Sequence, residues 1–208
     1  MLFVFFVAGL SKSGEPIIKF QLKTIRNLRI LILCFFSIAL TVALNAWNYA
    51  QSCRRWNAAL ADFASDPEKA LSTLNRLSPD LNNNPVFLTT YGKALSFGGH
   101  HPEAIAILEK ALKRQPLSTS YIEYGKSYEA AGFHEKALAA WNRANRMVPS
   151  RFKPLYLTMK LHFKNKEYGK AKEYARGLLT KKIKIDNPEI DAMKREAKNI
   201  LNSRPPPE

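Results

Sequence analysis

Apolar positions recur along this chain with a long period. Ala70, Ala104, Ala137 and Ala171 stand 34, 33 and 34 residues apart, and each opens an apolar helical run just after a turn: SDPEKAL, GHHPEAI, GFHEKAL and KEYGKAK. Within each interval the apolar residues fall at helical spacing. Leu88, Tyr91, Gly92 and Leu95 share one face; Gly98-Gly99 break the helix; Ala104, Leu108 and Ala111 form the next; Pro116 ends the unit. The following interval repeats the order, with Tyr121, Tyr124, Gly125 and Tyr128, then Gly132, then Ala137, Trp141 and Ala144, then Pro149. A fixed period near 34 residues predicts stacked helical hairpins, because one hairpin cannot bury its apolar face alone. Gly92 and Gly125 are placed to let paired helices approach closely. Gly99 and Gly132 suit a turn conformation that other residues avoid.

The flanking intervals are less regular. Residues 53–82 carry Ala70, Leu74 and Leu77, with Ala58 where glycine is expected. Residues 152–184 carry Ala171, Ala175 and Leu178, with Met159 at the glycine place and Lys166 at the turn. A last helix is predicted within 185–202, capped by Asp186 or Asn187, with Pro188 in its first turn. Its stripe of Ile190, Met193, Ala197, Ile200 and Leu201 reads as a seal on the last repeat. Residues 203–208 read as a disordered tail.

A different pattern occupies the N-terminal part. No charged residue occurs from Ile30 to Cys53, and ILILCFFSIALTVAL at 30–44 is apolar but for Ser37 and Thr41. About 20 such residues suffice to span a bilayer, and Trp47 and Tyr49 follow where interfacial aromatics belong. The expectation is a transmembrane helix over 25–52. Residues 1–24 then form an apolar stub, MLFVFFVAGL, and a basic loop. A cleaved signal peptide is the rival reading, against which stands a charged region of almost thirty residues.

Charge adds an orientation. The 208-residue chain has a formal net charge of +15. Lys19, Lys23, Arg26 and Arg29 precede the apolar segment and Arg54 and Arg55 follow it. That excess favours a cytoplasmic N-terminus, with the repeats outside the inner membrane, in a periplasm where one exists. Residues 151–204 hold fifteen basic and six acidic side chains, a basic surface for which no nucleic-acid partner is expected. Cys34 and Cys53 lie roughly 28 Å apart if one helix runs through both, so they cannot bridge.

Catalytic constellations are absent from the sequence. There is no phosphate loop, nucleophile elbow, His-Glu-x-x-His or Cys-x-x-Cys, so neither enzyme activity nor a cofactor is expected. His100, His101 and His134 fall in equivalent turns, without the further ligands a metal site needs. One arrangement does suggest binding. Lys93, Lys126 and Lys160 each follow the repeat glycine or its counterpart, one rung per repeat. Lys153, Tyr156 and Lys164 extend the ladder, and Glu123 and Glu129 are near enough to offset part of it. Two readings stand: a solvated helix face, or a groove for an acidic protein or peptide segment, an anionic glycan or a lipid headgroup.

The repeat pattern resembles the tetratricopeptide repeat, in which Trp-x2-Leu-Gly-x2-Tyr is followed by Ala-x3-Phe and then Pro. The match is best over 85–149, where Leu108 and Trp141 take the Phe place. The resemblance implies an all-α solenoid over 53–184. It also implies that the lysine ladder faces the concave groove, which in that family holds peptides. The order of parts adds a second resemblance. Pro149, Arg151, Pro154 and Tyr156, then Lys184, Ile185, Pro188 and Ile190, are similar to the C-terminal repeat tail of Bacteroidetes O-antigen ligase or polymerase proteins. That family transfers glycans from a polyprenyl carrier using many membrane spans, and the spans are not in this sequence. The resemblance therefore implies either a membrane-anchored scaffold in cell-surface polysaccharide assembly, or a non-catalytic C-terminal fragment of a ligase. A reversed topology, with a cytoplasmic scaffold, is the third alternative.

Overall fold

The computed structural model describes residues 23–63, 65–182 and 187–203. The N-terminal stub, the cap at Asp186, the Lys184-Ile185 pair and the tail from Arg204 lie outside the described residues. So do the side chains of the basic residues preceding the apolar segment. The chain divides into two units, Met1–Asn48 and Tyr49–Glu208.

The described residues are helical throughout, joined by turns. Helix α1 runs Lys23–Asp62, unbroken through the apolar segment and beyond it. Its side chains from Leu31 to Leu44 are exposed on all sides, Phe35 at 70%. The two hydroxyls in this stretch are satisfied locally: Ser37 donates to the Cys34 carbonyl and Thr41 to the Ile38 carbonyl, both at 2.8 Å. Among the described residues, this is the one helix long and apolar enough to cross a membrane.

The second unit stacks the final turns of α1 with α2 (Pro67–Leu81), α3 (Pro85–Phe97), α4 (His101–Arg114), α5 (Ser118–Ala130), α6 (His134–Met147), α7 (Lys153–Lys164), α8 (Tyr168–Thr180) and α9 (Pro188–Asn202). Each hairpin packs against the next, and α9 packs on α8 and α7. Local chemistry sets the boundaries. Asp66, Asn84 and Asn187 accept backbone N–H groups at the starts of α2, α3 and α9, each followed by proline in the first turn; such caps satisfy donors that the helix leaves unpaired. Gly99 and Gly132 have φ of 84° and 83°, in the left-handed region that glycine enters without strain.

All four marker alanines are fully buried. A Cβ on Gly92 would meet Leu108 Cγ at 2.5 Å, and one on Gly125 would lie closer still to the Trp141 indole. The glycines therefore admit the large residue of the partner helix. Trp141 uses the space to donate from Nε1 to the Ile122 carbonyl at 3.1 Å. In the first hairpin the register differs from the sequence reading. Ala59, not Ala58, enters the core.

Candidate binding groove

The first helices of successive hairpins, α3, α5 and α7, border a groove of about 390 Å³ lined by Lys93, Phe97, Lys126, Leu157, Lys164 and the carboxylates Glu123 and Glu129. The spacing explains the convergence: Lys93 and Lys126 each lie eleven residues before a marker alanine, so the period places them on the same face of adjacent helices. Lys126 pairs with Glu123 at 2.8 Å, one turn away on its own helix. Lys164 approaches Glu129 across the groove at 4.0 Å. Lys93 is exposed and makes no ion pair among the described residues. Phe97 is 71% exposed beside these cations, with the Phe63 ring edge-on to it at 5.4 Å.

The remaining rungs are engaged elsewhere. Lys153 binds Glu189 at 2.6 Å, Lys160 lies 3.4 Å from Glu196, and the Tyr156 hydroxyl donates to Glu196 at 2.5 Å. Burial, and then the bond to Glu196, hold the Tyr156 phenol above its usual pKa. Burial pulls Lys160 down, but Tyr156 and Glu196 outweigh it and leave its ammonium above the ordinary value. Glu189 is held below the ordinary carboxylate value by its bond to Lys153. Helix α9 thus supplies the counter-charges for α7. The sequence reading missed Glu189 and Glu196 in this role. A signal was available, since each lies 36 residues after its lysine, close to one repeat period. It also missed Phe97, which has the apolar character of a core residue and no feature in sequence that marks it as exposed.

The turn histidines separate. His134 Nδ1 accepts from the Asn165 side-chain amide at 3.2 Å, while His101 Nδ1 is buried without a partner. A fourth histidine, His162, is buried on α7. It pairs through Nδ1 with Glu167 and stacks on Tyr174 at 5.4 Å. The Glu167 carboxyl is held below its ordinary value first by Lys170 and then by His162. Among the described residues, no three His, Cys, Asp or Glu side chains converge as a metal site would require. Cys34 and Cys53 are both free.

Paired helices stacked on a 34-residue period, with an open groove along α3, α5 and α7, define a tetratricopeptide-type solenoid. Solved structures agree on this fold. A thermophilic tetratricopeptide repeat protein of Thermus thermophilus superposes with a TM-score of 0.61 at 18% identity, over 73% of this chain and 83% of that one. A tetratricopeptide repeat protein of Parabacteroides merdae gives 0.54 at 21% identity, over 71% and 59%. The Naa15/Naa10 assembly bound to HypK-THB gives 0.51 at 14% identity, over 76% of this chain and 26% of that one. No protein-family model matches the sequence, and neither does any curated protein.

Proposed function

We propose that this chain is a membrane-anchored scaffold whose α3–α5–α7 groove takes an acidic, apolar-anchored segment of a partner protein. The observation that carries the reading is the pairing of exposed Phe97 with Lys93, Lys126 and Lys164 in one groove. An apolar side chain of the partner covers Phe97 and removes its surface from water. Carboxylates beside it face Lys93 and compete with Glu123 and Glu129 for the other two ammonium groups. Binding of that kind is steered by charge and weakens with salt. The test is titration with fluorescent acidic peptides carrying one central Leu or Phe. Lys93→Ala, Lys126→Ala and Lys164→Ala together should weaken binding by about tenfold or more, equivalent to about 1.4 kcal/mol. Unchanged affinity removes the groove from the proposal.

The anchor in this reading is α1. Its unbroken apolar surface and internally bonded hydroxyls suit hydrocarbon, where every polar group needs an internal partner. The repeats lie outside the cytoplasm, in the orientation that the flanking basic residues favour. Resistance to carbonate extraction tests the anchor. Protease attack on the repeats in intact spheroplasts tests the orientation, and protection there reverses it.

The tie to surface polysaccharide assembly rests on the resemblance of residues 149–201 to O-antigen ligase tails. The same resemblance favours a second reading, in which the chain is the accessory end of a ligase whose catalytic spans are encoded upstream. An adjoining upstream frame with many apolar spans supports the fragment, and an unrelated neighbour supports the scaffold.

A further inference from the structure

The second unit has two long edges, and they differ in charge. At one edge α2, α4, α6 and α8 end while α3, α5, α7 and α9 begin. Contacts across the loops tie this edge together: Ser118 Oγ donates to the Ala144 carbonyl at 3.1 Å, Lys181 Nζ to the Arg151 carbonyl at 2.7 Å, and Lys194 Nζ to the Lys181 carbonyl at 3.1 Å. Lys113, Arg114, Arg146, Arg151 and Lys182 stand here, against Asp80, Glu189 and Asp191. At the other edge Glu68, Glu103, Glu135 and Glu167 open or precede helices, interleaved with Lys69, Lys136 and Lys170. The asymmetry has a local cause. Acids in a first turn and bases in a last turn each oppose the helix dipole, and α4 and α6 carry both. Stacking hairpins of the same sense then sums these terminal charges along the edges.

The basic edge is also where the chain enters the unit. Tyr49, the unit's first residue, accepts from the Asn84 side-chain amide at 3.1 Å, in the loop between α2 and α3. Arg114, Arg146 and Lys182 on the same edge are exposed and form no ion pair among the described residues. Lys181 is committed to structure, its ammonium pulled down by burial.

We infer that this edge is a contact surface for an anionic phospholipid membrane. The inference rests on the anchor proposed above: Tyr49 follows the apolar segment directly in the sequence and stands on this edge, whose exposed cations complement an anionic headgroup layer. Arg and Lys on long stems reach phosphate headgroups without leaving water. Their attraction acts within a Debye length, about 8 Å at physiological salt. A nucleic acid would meet the same charges, but gives no reason for them to gather where the chain enters.

The test uses the full chain in nanodiscs of phosphatidylcholine with or without phosphatidylglycerol. Lysine acetylation is followed residue by residue. Lys113 and Lys182 should label several-fold more slowly when phosphatidylglycerol is present, with the protection lost in high salt, while Lys136 and Lys170 stay unchanged. Arg114→Glu with Arg146→Glu should abolish the protection of Lys182, and Arg114→Gln with Arg146→Gln, a milder change, should reduce it. Equal labelling in the two discs overturns the inference, as does protection given by added RNA but not by phosphatidylglycerol. Carbonate extraction of the same sample reports on the anchor separately. A retained chain that labels equally sinks the edge alone. A stripped chain still protected by phosphatidylglycerol sinks the anchor and keeps the edge.

Discussion

The two central hairpins and the closing one solve the same packing problem in opposite ways. In α3–α4 and α5–α6 the first helix supplies glycine, Gly92 or Gly125, and the second supplies the bulk, Leu108 or Trp141. In α7–α8 the order is reversed: Met159 takes the glycine place and Ala175 takes the place of Leu108 and Trp141, and both are fully buried. What the fold demands at this crossing is a combined volume, not glycine. Interiors tolerate exchanges that keep volume and penalise those that change it. A degenerate repeat judged by its missing glycine is therefore intact in physical terms.

The sharpest way to break this comparison is to empty or overfill one side. Met159→Ala leaves alanine facing alanine, and denaturant unfolding of the detergent-solubilised chain should show a loss of about 2–5 kcal/mol. Gly125→Ala pushes a methyl group into the Trp141 indole and should cost about 1–3 kcal/mol. Gly92→Met joined to Leu108→Ala recreates the closing arrangement. That double variant should be more stable than the sum of its single changes requires, and strict additivity would refute the volume argument.

Smaller effects sharpen the contrast at the turns. Lys166 holds φ of 62° where the central hairpins place Gly99 and Gly132. A side chain costs about 1–2 kcal/mol in that region, so Lys166→Gly should stabilise the fold by about 1 kcal/mol in the same unfolding measurement. Gly132→Lys should destabilise it by a similar amount. The smallest effect expected is at α9. Because Lys153 depresses the Glu189 pKa below 4.5, the pair stabilises the folded state above that pH. Its contribution is lost as pH falls through the depressed value. Both side chains are partly exposed, at 35% and 61%, which limits the pair to about 0.2–1 kcal/mol. The protection of α9 amides, taken relative to their intrinsic exchange rate at each pH, should fall below about pH 4.5, and Glu189→Gln should flatten that dependence.

The central hairpins were legible because their turns and crossings use residues with few other uses. Glycine at Gly99 and Gly132, proline at Pro116 and Pro149, and alanine at each repeat of the period all answer one local requirement. The first hairpin was less legible. There Ala59 enters the core and Ala58 is exposed, and no glycine marks the crossing in the sequence. The lysine ladder illustrates the other limit. Lys93, Lys126 and Lys160 look alike in sequence because each has the same place in its repeat. They differ in the structure because a helix carrying Glu189 and Glu196 follows α7 and not α3.

By itself, the sequence determined the all-helical class, the hairpin period, the apolar segment before it and the closing helix after it. These follow from short-range periodicity and from residues whose backbone preferences are strong. Only the tertiary structure decided which lysines remain open to a partner, that Phe97 is exposed among them, and that charges spread along the chain collect at one edge. Those properties depend on which helices become neighbours. Electrostatic pairing and exposure act through space, between residues that the chain separates by a whole repeat.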